Sequence, residues 1–367
     1  MAAKIIISGG GTGGHIFPAI AIADALKRLA PTTEILFVGA NGKMEMDRVP
    51  QAGYEIVGLD IVGIDRKSLW KNVQLPFKLM KSLWRAREVL KAFQADVAVG
   101  VGGYASGPLL MMAGWMGVPT LIQEQNSFAG VTNRKLGKNA QRICVAYTGM
   151  EQFFSEDKLI LTGNPIRESS VTIDGKRADA LRAFSLDPLK KTVLITGGSL
   201  GARTLNQSVK AGIDQFLRED IQVIWQCGNY YFSSLQEELG ELPQNIRLLP
   251  FLERMDYAYA AADLIVSRAG AGTISELALI GKPVILVPSP NVADDHQTKN
   301  AQALVEQNAA RWIRDRDAVE NLAGEIVSLL QNDQEQDRMS TNLRRLARPH
   351  ADLDIAKEVL ALIERKQ

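Results

Sequence analysis

The sequence predicts an α/β chain built twice over, with two parallel-sheet domains facing each other across a cleft. Three observations predict it. A length of 367 residues fits two domains better than one. Short apolar runs alternate with segments of helical spacing, as buried parallel strands joined by crossover helices require. Each half also opens with a strand, a glycine-rich turn and a helix, first from residue 4 and again from residue 192. The fold expected is therefore Rossmann-like in both halves, with ligands at the carboxyl ends of the strands.

In the first half, Lys4 to Ser8 forms a strand and Pro18 to Leu29 the helix that follows, with Ile20, Ala23 and Leu26 near helical spacing. Residues 35–38, 96–100, 119–122, 142–146 and 159–161 are the further strands. The pattern restarts at Thr192 to Thr196, passes the turn 197–202 and continues as a helix near Thr204 to Leu217. Strands at 223–225, 246–249, 264–266 and 284–287 complete the second half. The boundary falls near Gly163-Asn164-Pro165, giving domains 1–163 and 164–344. A charged helix, about 345–367, is expected to pack back on the first domain.

Composition narrows the function. Hydrophobic content of 46% and charged content of 23% are ordinary for a globular enzyme. A net charge of +1 gives no global field for nucleic acid, and none is expected as a partner. Cys144 and Cys227 lie near apolar runs and are expected to be buried, reduced thiols in the cytoplasm. The start enters a strand at once, without a signal-peptide pattern. No uncharged apolar run reaches the roughly 18–20 residues of a membrane span, so membrane contact is expected to be peripheral.

Residues 268–283 carry the most chemistry. After strand 263–267, Gly270, Ala271 and Gly272 let a ligand approach the backbone. A helix then opens, stopping at Gly281 with Pro283 beyond. Its unpaired N–H groups and its dipole favour an anion. Ala271, Gly272, Thr273, Ile274 and Ser275 line that start, and Glu276 is placed in the first turn. A carboxylate repels a phosphate, so its presence needs a reason. Accepting hydrogen bonds from a ribose diol is one; suiting the helix dipole is the plainer alternative.

The turn Ser8 to His15 holds five glycines, of which Gly9, Gly11 and Gly14 satisfy G-x-G-x-x-G. A nicotinamide site would want an acidic residue closing the second strand. That strand instead ends Val38-Gly39-Ala40-Asn41. A loop cleared of side chains for a sugar and a phosphate, or plain turn geometry, are the other readings. His15 closes the turn and is a usable base near neutral pH. His296 lies among Asp294, Asp295 and Gln297, but no second histidine at helical spacing supports a metal. No metal and no cofactor are expected, and Gln297 and Asn300 suit sugar hydroxyls better. Gly198-Ser199-Leu200-Gly201 offers a second set of phosphate donors, and Arg167 stands at the domain junction.

Together these pieces resemble the MurG family, peripheral N-acetylglucosaminyltransferases of peptidoglycan synthesis in the two-domain GT-B class. The motifs run in order along nearly the whole chain: 10–18, 102–108, Gln123-Glu124-Gln125-Asn126, 163–167, 197–202 and the Glu276 helix. The resemblance implies UDP-GlcNAc as donor and lipid I, an undecaprenyl-diphosphate-linked MurNAc-pentapeptide, as acceptor. It implies lipid II as product, with inversion to a β-1,4 bond. It assigns Thr12, Gly13, Gly14, Asn126, Arg167, Ser199, Glu276 and Gln297 to the donor, and the backbone near Leu252 to uracil. His15 matches the group proposed to deprotonate the acceptor; Tyr104 and Glu124 fall on the acceptor side. Gln123 stands where the family often has histidine and cannot titrate, so no acid/base role passes to it. The spacing of 291–297 also varies in the family, which ties Gln297 to the donor less firmly than Glu276. Two helix N-termini and Arg167 would stabilise departing UDP without Mg²⁺.

Residues 66–91 contain eight Lys or Arg and one acid, Glu88. On a helix, Leu75, Leu79, Leu83 and Leu90 form a core stripe. Phe77, Met80 and Trp84 form a second, edged by Lys81, Arg87 and Lys91, with Trp70 and Trp115 as further members. Apolar residues flanked by bases suit an anionic membrane surface; a helix buried on two sides is the alternative. The expected place is the cytoplasmic face of the plasma (inner) membrane, with other cell-wall synthesis proteins as further partners. Two rivals stay open: a UDP-GlcNAc 2-epimerase on the same scaffold, and a non-catalytic nucleotide-sugar-binding subunit.

Overall fold

The computed structural model describes residues 2–61, 75–166, 168–198, 200–292 and 295–364. The chain divides into two compact units, residues 1–166 with 348–367, and residues 167–347.

In the first unit, β1 (Lys4–Gly9), β2 (Glu34–Ala40), β3 (Glu55–Leu59), β4 (Val97–Gly102), β5 (Thr120–Glu124), β6 (Arg142–Val145) and β7 (Leu159–Leu161) form one sheet in the order β3-β2-β1-β4-β5-β6-β7. Every pairing is parallel. The helices are α1 (Gly13–Leu29), α2 (Glu45–Gln51), α3 (Leu75–Phe93), α4 (Ser106–Trp115), α5 (Val131–Gly137) and, from the far end of the chain, α15 (Ala351–Glu364). Successive strand residues point to opposite faces. Ile5, Ile7, Val97 and Val99 meet Ile16 and Ala23 of α1 and Ile355 and Val359 of α15 on one face. Ile6, Ala98 and Ile122 meet Leu83 and Leu90 of α3 and Leu109 of α4 on the other.

The second unit holds β8 (Thr192–Thr196), β9 (Gln222–Gln226), β10 (Ile246–Leu249), β11 (Leu264–Ser267), β12 (Val284–Leu286) and β13 (Arg311–Trp312), again all parallel, in the order β10-β9-β8-β11-β12-β13. Its helices are α6 (Glu168–Val171), α7 (Arg177–Ala183), α8 (Arg203–Arg218), α9 (Asn229–Leu239), α10 (Met255–Ala261), α11 (Ala271–Ile280), α12 (His296–Val305), α13 (Ala318–Leu330) and α14 (Asp333–Leu346). Strand order reverses between β1 and β4 and between β8 and β11. Such switch points are where open α/β sheets take ligands.

Two expectations are corrected here. The first helix begins at Gly13 rather than Pro18. Thr12 is extended, and the amides of His15 and Ile16 both donate to its carbonyl, so the turn glycines enter the helix directly. Glu276 is the sixth residue of a helix that starts at Ala271, which puts it in the second turn. Gly270 caps that helix with extended backbone, and Gly281 ends it in the left-handed region at φ +62°. β3 and β13 carry no clear strand signal in the sequence. Gly58 interrupts the first, and the second has two residues at a sheet edge.

Candidate active site

At the first switch point two glycine turns press against each other. The Gly10 amide donates to the Gly102 carbonyl at 3.2 Å, and Ser106 Oγ donates to the carbonyls of Ser8 (3.0 Å) and Gly102 (2.9 Å). Gly103, at φ +95°, brings its α-carbon so close that a Cβ there would stand 2.3 Å from the Gly10 carbonyl oxygen. Glu45, fully buried at the start of α2, lies beneath. Its carboxylate accepts from the amides of Gly11 (2.8 Å) and Ala40 (3.1 Å). A Cβ on Gly10 would sit 2.2 Å from that carboxylate, so only glycine fits.

His15 stands in the first turn of α1. Its Nδ1 lies 3.1 Å from the Gly10 carbonyl and 3.3 Å from Thr12 Oγ1. A carbonyl only accepts, so Nδ1 carries a proton, and in the neutral ring the lone pair is on Nε2. A Cβ on Gly102 would come within 2.8 Å of Nε2. The missing side chain leaves room beside the basic nitrogen. Exposed Tyr104 covers Gly11 across the same turn, with Lys43 Nζ 6.0 Å from its ring centre.

Asn126 follows β5, one strand over. Glu124 holds that loop, accepting from the Asn126 amide (3.0 Å) and side chain (3.3 Å), the Gly130 amide (3.1 Å) and Asn133 Nδ2 (2.8 Å). Its buried carboxylate is thus engaged in shaping the turn that presents Asn126. Gln123 is buried too; its Nε2 donates to Asn164 Oδ1 at 2.9 Å, and Asn164 donates to the Gln125 carbonyl at 3.0 Å.

The second unit repeats the device at β8 and β11. In the turn after β8, Gly198 and Gly201 take φ of +80° and +74°, and a Cβ on Gly201 would meet the Cys227 carbonyl oxygen at 1.9 Å. At the start of α11 the glycines differ. A Cβ on Gly272 would meet nothing within 4 Å, and one on Gly270 only Thr273 at 3.7 Å. Arg268 anchors the turn, its Nη1 donating to the Val287 carbonyl (2.9 Å) and to Asp315 Oδ1 (2.5 Å). Residues 271–275 form the first turns of α11, and Ser275 Oγ bonds back to the Ala271 carbonyl at 3.1 Å. Half-buried Glu276 accepts from Tyr259 Oη at 2.9 Å. Gln297, on α12, uses its carbonyl oxygen on the amides of Ala269 (3.2 Å) and Ser289 (2.8 Å), so its side chain can offer a ligand only N–H donors. Leu252 is buried just after β10, next to exposed Phe251.

The first unit therefore gathers Thr12, Gly13, Gly14, His15 and Tyr104 at one switch point, with Asn126 on the adjoining strand end. The second gathers 271–276 and Gln297 at the other, with Leu252 two strands along. Arg167, Ser199 and Trp70 lie outside the described residues. Among the described residues no group of His, Cys, Asp and Glu could hold a metal. Burial pushes the Cys144 thiol up to about 12 and Cys227 up to about 11, so neither is a nucleophile near neutral pH.

On α3, Leu83, Ala86, Val89 and Leu90 are buried, while Phe77, Met80 and Trp84 are exposed by 78%, 68% and 65%. Trp115, at the end of α4, which packs on α3, is 65% exposed. Among the described residues no helix is long and apolar enough to cross a membrane.

Sequence reasoning missed Glu45 and Tyr259. Both act over distance, Glu45 on a turn 34 positions away and Tyr259 on a carboxylate 17 away. Tyr259 stands among alanines on a short apolar helix and looks like core.

Two Rossmann-like units, each with glycine-rich turns at its switch point, define the GT-B fold. Residues 5–145 match the glycosyltransferase family 28 N-terminal domain and 192–358 its C-terminal domain. A UDP-N-acetylglucosamine–N-acetylmuramyl-(pentapeptide) pyrophosphoryl-undecaprenol N-acetylglucosamine transferase from Bacteroides fragilis is 55% identical, over 99% of this chain and 96% of its own. The crystal structure of MurG from Acinetobacter baumannii superposes with a TM-score of 0.80 at 29% identity, over 98% of this chain and all of that one. A UDP-GlcNAc 2-epimerase from Neisseria meningitidis, TM-score 0.69 at 14% identity over 98% of this chain and 100% of its own, shares the fold alone. The chain belongs to glycosyltransferase family 28, with the N-acetylglucosamine transferases that the Bacteroides relative represents.

Proposed function

We propose that this chain transfers GlcNAc from UDP-GlcNAc to lipid I, forming lipid II in peptidoglycan synthesis. The observation that carries this function is the 55% identity to a named transferase over 99% of the chain. The acceptor hydroxyl attacks the anomeric carbon as the bond to UDP breaks, and the configuration inverts. His15 takes the hydroxyl proton on Nε2, the nitrogen that holds the lone pair when the Gly10 carbonyl accepts from Nδ1–H of the neutral ring. The α11 N-terminus, Ser199 and Arg167 stabilise the departing diphosphate. Glu276 accepts from the ribose hydroxyls, Gln297 donates to the sugar, and the backbone at Leu252 meets uracil. Thr12, Gly13, Gly14 and Asn126 complete the donor contacts, and Tyr104 faces the acceptor. Residues 1–163 with the tail helix serve the acceptor and 164–344 the donor.

Incubation with labelled UDP-GlcNAc and a lipid I analogue yields a labelled disaccharide-lipid. Release of UDP without a disaccharide, or 2-epimerised sugar, rules this function out in favour of a rival.

The same chain works at the cytoplasmic face of the inner membrane, through Phe77, Met80, Trp84 and Trp115 among basic residues. Exposure of these four side chains beside the buried face of α3 supports that surface. A Phe77→Ser/Trp84→Ser variant loses sedimentation with anionic liposomes; undiminished binding rejects the patch.

A further inference from the structure

The second unit contains one polar contact that the donor site does not explain by itself. Tyr259 is buried on α10, among the largest fully buried side chains of the chain, yet its hydroxyl reaches Glu276 Oε2 at 2.9 Å. An apolar side chain of the same shape would pack there without a buried polar atom, so the hydroxyl calls for a use. The backbone of Tyr259 is fixed as well. Lys282, just past the end of α11, donates through Nζ to the carbonyls of Tyr259 (2.7 Å), Ala260 (2.9 Å) and Ala262 (2.5 Å). Two of these are carbonyls of the last turn of α10, which helical bonding leaves unmet, and the third is that of its C-cap residue. α10 and α11 are thus clasped twice, by Lys282 at the end of α11 and by Tyr259 at Glu276.

We propose that Tyr259 is the positioning residue of the ribose site: its hydroxyl fixes the carboxylate of Glu276 so that the carboxylate meets the ribose diol of a uridine nucleotide already aimed. This rests on the assignment of Glu276 to the ribose. The O–H to carboxylate bond is charge-assisted, and its donor end is fully buried. It holds a side chain with three rotatable bonds to one arrangement before the nucleotide arrives, which lowers the entropy lost on binding. Burial, reinforced by the charge of Glu276, raises the Tyr259 hydroxyl well above its ordinary range. It therefore stays a proton donor wherever the enzyme works.

The test is a cycle between protein and ligand. Affinities for UDP and for 2′,3′-dideoxy-UDP are measured by calorimetry with the native chain, Tyr259→Phe and Glu276→Gln. Native protein prefers UDP. Tyr259→Phe is expected to bind UDP about 5- to 20-fold more weakly while its affinity for the dideoxy compound stays unchanged, so the preference shrinks. Equal weakening of both ligands would mean that Tyr259 merely supports the fold, and overturns the proposal. So does a preference that Tyr259→Phe leaves intact while Glu276→Gln abolishes it; the ribose role of Glu276 then survives alone. If native protein does not distinguish the two ligands, the ribose assignment falls and the proposal with it.

Discussion

The turn after β1 and the turn after β11 look alike in sequence, yet their glycines answer to different neighbours. In the first, Gly10 leaves its side-chain space to the protein itself, whereas Gly11 and Gly14 make only ordinary contacts at 3.6 and 3.7 Å. Gly10 makes room for Glu45, and in the turn after β4 that presses on it Gly102 makes room for His15 and Gly103 for the Gly10 backbone, with a hypothetical Cβ at 2.2–2.6 Å in each case. In the second, Gly272 faces nothing within 4 Å and Gly270 makes only an ordinary contact. One turn is thus a packed mount for His15, and the other leaves its backbone open to approach.

Substitutions on each side can break or sharpen that contrast. The largest effect is expected at the mount's cargo. His15→Ala lowers kcat by about 10²–10⁴ while UDP-GlcNAc affinity stays near native. Weak donor binding with native turnover would falsify its role as base. Next comes the mount itself. Gly103→Ala places a Cβ 2.3 Å from a carbonyl oxygen at a residue with φ +95°, and costs on the order of 2–4 kcal/mol in a denaturant melt. A native midpoint would show that the turn has slack. Gly272→Ala should do the reverse. It adds a methyl group in open space and a better helix former, so thermal stability holds or rises by up to ~1 kcal/mol. UDP affinity drops about tenfold, ~1.4 kcal/mol. If Gly272→Ala lost stability instead, the two turns would be the same device after all.

The smallest effect concerns what supports α10. Arg254 first, then Lys176, holds the Asp256 carboxyl well below the usual carboxylate range. A native pKa below the unfolded value, about 4, adds stability that is complete above pH ~4 and is lost as pH falls below it. Asp256→Asn should melt about 2–4 °C lower at pH 7, and the gap from native protein should close below pH 4. A gap that persists in acid would assign the loss to packing rather than charge.

Most of the architecture was legible because parallel strands buried on both faces print as unbroken apolar runs, such as Ile5-Ile6-Ile7 and Val193-Leu194-Ile195. The glycine turns and the Gly281 stop were equally plain, since their backbone needs are local. What stayed hidden was long-range. Glu45 sits in an ordinary acidic helix start, and only the fold reveals that its carboxylate crosses to Gly11. The start of α1 was misplaced because Pro18 looks like a first-turn residue, whereas the helix already runs through Gly13 and Gly14. The placement of Glu276 slipped by one turn for a similar reason, the helix opening at Ala271.

The closing helix has a consequence for biogenesis. Ile355, Val359 and Leu362 finish the core that Ile5 and Ile7 begin, yet the ribosome makes them only after the whole of the second unit. The first unit must wait for the second to be synthesised before its own interior is sealed. Nascent chains stalled before Ala351 should expose the sheet face around β1 and recruit chaperones, whereas the intervening unit can close as soon as its own residues emerge.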